Sequence, residues 1–170
     1  MDSRMFSPRW EAGGTDWIAA AVAGFAAGAL LMVLELLWAM IIGSNPWTVS
    51  YMVAAIVAGP GALNAADFSL PLVALALVIH YVLGIVFGMV LAAVISAFHF
   101  DANPGMAVAA GAAFGVALYL LNFFGMAQFF PWFSAMRGWT TLAAHLVFGM
   151  AAAIIYWKLE RHAPSRIPAR

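Results

Sequence analysis

Four apolar runs separated by turn residues organise the chain. They cover roughly residues 17–42, 70–98, 105–129 and 139–158, and each meets the requirement of about 20 apolar residues for crossing a bilayer core. Between them stand Ser44-Asn45-Pro46, Gly59-Pro60-Gly61, Asp101-Ala102-Asn103-Pro104 and Pro131-Trp132, residues that interrupt helices and make turns. A fifth apolar stretch, 46–58, is too short to cross. With Asn45 as an N-cap and Pro46 at the first helical position, it predicts a short helix that lies along the interface or re-enters the membrane. The predicted fold is an all-α integral membrane domain over residues 1–170, a bundle of four transmembrane helices built from two tandem helical hairpins.

Composition agrees. Of the 170 residues, 66% are hydrophobic and 8% charged, against roughly 45–50% apolar and about 25% charged in soluble domains, so too few polar residues exist to cover a water-soluble surface. The first apolar run exceeds the 7–15 residues or so of a secretory signal, so it reads as a retained helix. Formal net charge is zero, which removes any general electrostatic attraction to nucleic acid. The absence of cysteine excludes disulfides, thiolate nucleophiles and cysteine-based metal sites. The expected partners are membrane lipid and a second copy or a larger membrane complex.

The basic residues orient the domain. Lys158, Arg161, Arg166 and Arg170 crowd the C-terminal tail and Arg4 and Arg9 the N-terminal one, so both termini are expected in the cytoplasm of a bacterium, with the protein in its inner membrane; Arg137, in the third connection, runs against this trend. Trp10, Trp17 and Trp157 then fall at the inner boundary and Trp47, Trp132 and Trp139 at the outer one, as aromatic belts do.

An internal repeat underlies the two hairpins. Gly24, Gly28 and Glu35 in the first run recur, at one constant offset, as Gly111, Gly115 and Asn122 in the third, and each set is followed by a Pro-Trp pair, Pro46-Trp47 and Pro131-Trp132. His80-x-Val82-x-Gly84 in the second run recurs as His145-x-Val147-x-Gly149 in the fourth. Two-helix repeats of this kind are related by an axis along the bilayer normal.

The same residues form the candidate site. At about 100° per residue, Gly24, Gly28 and Glu35 share one helix face, as do Gly111, Gly115 and Asn122. His80, Gly84 and Gly88 form a corresponding stripe, as do His145, Gly149 and Ala153. Small-residue stripes let helices approach closely, so Glu35, His80, Asn122 and His145 are expected to face protein, in the outer half of the bundle. A carboxylate in a span costs roughly 2.5–3.5 kcal/mol near its centre, so Glu35, the one acidic residue within the predicted spans, is expected to be neutral or paired with His80 or His145. Hydrogen-bonded clamping between helices, worth about 0.6 kcal/mol per interaction, competes with a functional reading of these four.

Other features carry less. His99 and His162 sit at or beyond helix ends, Asp67 and Asp101 belong to connections, and the ten methionines are scattered through apolar segments. No phosphate-binding loop, Ser-His-Asp order or zinc-protease motif occurs, and no enzymatic activity is expected.

Glu35, Asn45-Pro-Trp-Thr48, His80-x-Val-x-Gly84, Leu118-Tyr-Leu-Leu-Asn122-Phe, Phe130-Pro-Trp-Phe133 and His145-x-Val-Phe-Gly149 resemble the sequences of small bacterial four-helix inner-membrane proteins that carry no assigned activity. Some of those carry a sodium:proline symporter label, which does not fit this chain, because sodium-solute symporters have many more spans and discontinuous helices. The resemblance implies the fold and nothing about chemistry.

Three functions follow from the residues. The first is a small channel or transport component with a periplasm-facing site at Glu35, His80, Asn122 and His145 for a proton, metal ion or small solute. The second is a redox module in which His80 and His145 ligate a b-type haem, Gly84 and Gly149 making room for the ring, or in which Trp47, Trp132 and His145 form a quinone pocket. The third is a non-catalytic accessory subunit of a larger complex. Small-residue stripes left facing lipid after the four helices are packed would favour the third.

Overall fold

The computed structural model describes residues 14–65 and 67–162. Arg4, Arg9, Trp10, Arg166 and Arg170, on which much of the expected orientation and inner aromatic belt rests, lie outside the described residues, as does the side chain of His162. The protein is an all-α membrane bundle: α1 (Trp17–Ile41), a short α2 (Thr48–Ala58), α3 (Leu70–Ala97), α4 (Pro104–Leu120) and α5 (Trp139–His162). Among the described residues four helices are long and apolar enough to cross a membrane, α4 counting with its continuation to Gln128. Their outward faces are apolar as well; Ile18, Val82, Val86 and Leu120 all lie exposed, as expected where the surroundings are lipid.

Local chemistry sets the helix ends. Asp16 caps α1, its Oδ1 accepting from the amides of Ile18 and Ala19 at 3.1 and 3.0 Å. Asn103 caps α4 by accepting from the Met106 amide at 2.9 Å, with Pro104 in the first turn, where its missing N–H costs nothing. The expected cap at Asn45 does not form. Its Oδ1 accepts from the Trp47 amide two residues on, at 2.9 Å, which closes an Asx turn and delays α2 to Thr48. At the other end of the chain α5 runs a turn beyond Lys158 and takes in Glu160. Glu35 is therefore not the only acidic residue on a long apolar helix.

The hairpins are held by backbone contact. On α1 and α3 a Cβ added to Gly24 would lie 3.0 Å from Gly88 Cα, and one added to Gly88 would lie 2.8 Å from Gly24 N and 2.9 Å from Ala20 O. On α4 and α5 a Cβ on Gly111 would lie 2.8 Å from Ala153 Cβ, one on Gly115 3.0 Å from Leu146 Cα, and one on Gly149 3.0 Å from Gly115 N. All are closer than packed carbon atoms tolerate, so each position admits only hydrogen. Gly28 differs, since its Cβ would meet nothing nearer than His80 Nε2 at 3.6 Å.

α5 packs on α1 and α3 as well as on α4 and thereby joins the hairpins. Toward the end where α1 begins and α5 finishes, the interior is filled by alanines of α1, by Leu91, Ala92 and Ile95 of α3, and by Ala152, Ala153 and Tyr156 of α5. Tyr156 is fully buried. Its hydroxyl donates to Glu160 Oε1 at 3.2 Å and lies 2.9 Å from Ser96 Oγ, the donor to it. Trp157 Nε1 donates to Asp101 O at 3.1 Å, fastening α5 to the α3–α4 connection. His99, in that connection, is exposed.

Gly111→Ala and Gly24→Ala are expected to destabilise the bundle by about 1–3 kcal/mol, the usual cost of overpacking, while Gly28→Ala changes stability by less than about 0.5 kcal/mol. Equilibrium unfolding in mixed micelles measures both, and equal losses at Gly28 and Gly111 would refute the contact geometry.

Candidate functional site

At the opposite end the helices give way to a cavity of about 360 Å³. Gly28, Leu31 and Glu35 of α1, His80 and Phe87 of α3, Leu118 of α4, and His145 and Phe148 of α5 contribute to its wall, together with Asn122 beyond the end of α4. Leu31, Leu118 and Phe148 also belong to the packed core and form its floor. Met52, Val53 and Ile56 of α2 lie on its far side with Phe133 and Met136, from a 3-10 turn at Pro131–Met136. Of all the lining side chains, four are polar, and they are Glu35, His80, Asn122 and His145.

The residue pairs are equivalent in sequence but not in bonding. His145 is buried, and its Nδ1 lies 2.9 Å from Thr141 O. A carbonyl only accepts, so Nδ1 carries the proton, and Nε2 of the neutral ring is an acceptor. Asn122 Nδ2 lies 3.3 Å from that Nε2 and donates to it, which also fixes the amide orientation. His80 has the other tautomer: its Nε2 lies 2.9 Å from Gly28 O and donates to it, leaving Nδ1 as an acceptor with no protein partner. Glu35 makes no hydrogen bond or ion pair with any described residue, so of the two expectations for it, neutral or paired, the pairing with His80 or His145 is not the one made.

Every buried side-chain nitrogen or oxygen of the described residues has a partner. The unpartnered Glu35 oxygens, His80 Nδ1 and Asn122 Oδ1 therefore face open space. For Glu35 and His80 that space is double. A second cavity of about 280 Å³, bounded by Trp47, Ser50 and Leu36 among others, shares Glu35, His80, Val49 and Val53 with the first.

Asn122 is positioned by an irregularity that hydropathy does not reveal. Residues Leu121–Gly125 form a π-helical turn, closed by the Met126 amide on Leu121 O. Such turns inside helices free carbonyl groups and recur at functional sites. Here Arg137 Nε donates to Phe123 O at 2.7 Å, and its guanidinium stands 4.4 Å above the Phe124 ring. Trp132 Nε1 donates to Met52 O at 3.0 Å, tying the 131–136 turn to α2. Tyr51 secures α2 from the other side, donating to Asp67 O at 2.8 Å and accepting from the Ser69 amide at 3.0 Å. The sequence pattern does not mark Arg137 as part of the site, a lone arginine between apolar runs being its only sign, and it marks Trp132 through the repeated Pro-Trp pair and as a quinone contact, not as the tie to α2.

Two cofactor readings meet physical objections. Gly84 and Gly149 leave no room for a haem macrocycle, because the backbones of Gly24 and Gly111 lie against them, and His80 Nε2 is committed to Gly28 O. Trp47, Trp132 and His145 do not surround one quinone pocket: Trp47 borders the second cavity, His145 the first, and Trp132 neither. Among the described residues no group of three or more histidine or acidic side chains is placed to hold a metal ion. Comparison of the chain with models of protein families, with curated proteins and with solved structures finds no match.

In ¹⁵N NMR spectra His145 is expected as the Nδ1–H tautomer and His80 as the Nε2–H tautomer; the reverse assignment for either ring would contradict these bonds. Removing the Arg137 side chain (Arg137→Ala) is expected to speed amide exchange over 121–126 by about tenfold or more, the loss of one charge-assisted hydrogen bond. Unchanged exchange there would mean that the π turn stands without it.

Proposed function

We propose that the protein is a small transport component of the bacterial inner membrane whose intramembrane cavity binds a small solute. The observation that carries this reading is that Glu35, His80, Asn122 and His145, drawn from four helices, supply all the polar side chains of one cavity. Apolar cavities with a few convergent polar groups are the usual form of a small-molecule site, and ionisable residues inside membranes commonly mark solute or proton pathways. The packed alanine-rich half below the floor favours a binding site reached from one end over a continuous pore. With both termini in the cytoplasm, as the basic tails suggest, the cavity belongs to the periplasmic half. The matching contacts, Gly24 with Gly84 and Gly88, and Gly111 with Gly149 and Ala153, support reading the hairpins as a tandem repeat.

A second reading, assembly with another membrane helix, has its own observation. Gly105, Ala109, Ala113 and Ala117, one on each successive turn of α4, are all exposed, and such a stripe suits close helix packing in lipid. The partner is a second copy or a subunit of a larger complex. Because the chain has no cysteine, Ala113→Cys introduces a unique crosslinking position. Crosslinking of this variant in native membranes, and none for an exposed Val86→Cys control on α3, is the expected result; equal yields would remove the support.

For the transport reading, the variant combining Glu35→Gln, His80→Ala and His145→Ala is expected to lower proton or organic-solute flux in proteoliposomes by at least about tenfold. Full flux in a folded triple variant would end this proposal.

A further inference from the structure

Building on the solute-site reading, we propose that the ligand of the cavity is a small organic ammonium ion, a protonated amine with an apolar body. The argument is an inventory of unused hydrogen-bonding atoms. His80 has spent its N–H on Gly28 O and His145 has spent its own on Thr141 O. The Asn122 amide nitrogen is turned toward His145 Nε2. What the cavity still offers is His80 Nδ1 and Asn122 Oδ1, both acceptors, and the Glu35 carboxyl, which accepts through both oxygens once a cation beside it favours the carboxylate. The one side-chain N–H left over is the second hydrogen on Asn122 Nδ2. A ligand that satisfies this set must donate, and an ammonium group donates in up to three directions while carrying the charge opposite to that of a carboxylate.

The rest of the wall selects the body. Phe87, Phe123, Phe133 and Phe148 line the cavity, and the faces of such rings attract cations. An anionic solute meets Glu35 and no compensating cation, since Arg137 is engaged with Phe123 O and Phe124 and does not line the cavity. An inorganic cation such as calcium needs six to eight oxygen ligands, and the apolar wall does not supply them. Taking about 30 Å³ as a water molecule's share of liquid volume, 360 Å³ holds roughly a dozen non-hydrogen atoms. That is the size of an arylalkylamine.

The test is titration calorimetry on the full chain in lipid nanodiscs, with empty nanodiscs subtracted. The probes are 2-phenylethylamine, its neutral counterpart 2-phenylethanol and the anion phenylacetate. The amine is expected to bind, the alcohol more weakly and the anion not at all. Glu35→Gln, checked for an unchanged melting temperature, is expected to weaken the amine by about ten- to a hundredfold, the worth of a charge-assisted hydrogen bond, and to abolish its advantage over the alcohol. Alcohol or phenylacetate binding as tightly as the amine, or amine binding indifferent to Glu35→Gln, overturns the ammonium inference while leaving a solute site standing. If none of the three binds, the ammonium inference fails. The broader reading falls with it only when the Glu35, His80 and His145 triple variant also keeps full flux.

Discussion

The bundle rests on helix backbones touching where side chains have been reduced to hydrogen. In lipid, apolar side chains gain nothing by leaving their surroundings for one another, so helices associate through close van der Waals contact, and Gly24 against Gly88 or Gly111 against Gly149 provides it with backbone so near that an added Cβ would not fit. The contact is local to one part of each hairpin. Farther along, Leu31, Phe87, Leu118 and Phe148 replace glycine and alanine, and the space that opens beyond them is the cavity. Tight packing at one end and an open chamber at the other are thus two results of one gradient in side-chain size.

The chamber's polar groups are paired by position yet unlike in behaviour. Asn122 and His145 satisfy each other, and Thr141 completes the set. At the matching positions Glu35 and His80 do not meet, because His80 turns to Gly28 O, and the carboxyl is left facing two cavities at once. In one half of the site both ring nitrogens of His145 are hydrogen-bonded, and only Asn122 keeps unused capacity. The other half is left with acceptor capacity, and an incomplete network of that kind in an apolar setting is costly unless something else completes it.

Much of this was legible in the sequence, for reasons that differ from element to element. The long helices announce themselves because a membrane span admits almost nothing but apolar residues, and the glycine stripes because helical periodicity places Gly24 and Gly28, or Gly111 and Gly115, on one face. The meeting of Glu35, His80, Asn122 and His145 in one chamber follows from the same stripes. Finer features were hidden by competition between near-equal local options. Asn45 could cap a helix or close an Asx turn, and it does the latter. The extension of α5 through Glu160 was obscured because charged residues past Lys158 look like the start of a tail. The π turn leaves no compositional mark, since Leu121–Gly125 reads as ordinary apolar helix, and the reach of Arg137 back to Phe123 depends on it. Which partner a buried group takes is a matter of side-chain direction, and hydropathy does not encode it; hence the sequence left open whether Glu35 is neutral or paired with a histidine.

The π turn at Leu121–Gly125 also makes α4 one residue richer than an uninterrupted α-helix of the same length. An extra residue in a helix is a phase error: everything beyond it is rotated by about 100° relative to the phase an unbroken helix would keep. Asn122 lies inside this turn, so the direction of its amide toward His145 is set by the extra residue as well as by the phase of the Gly111 and Gly115 stripe. The first hairpin has no such spare residue: α1 is helical without interruption from Trp17 to Ile41, so Glu35 keeps the phase that Gly24 and Gly28 set.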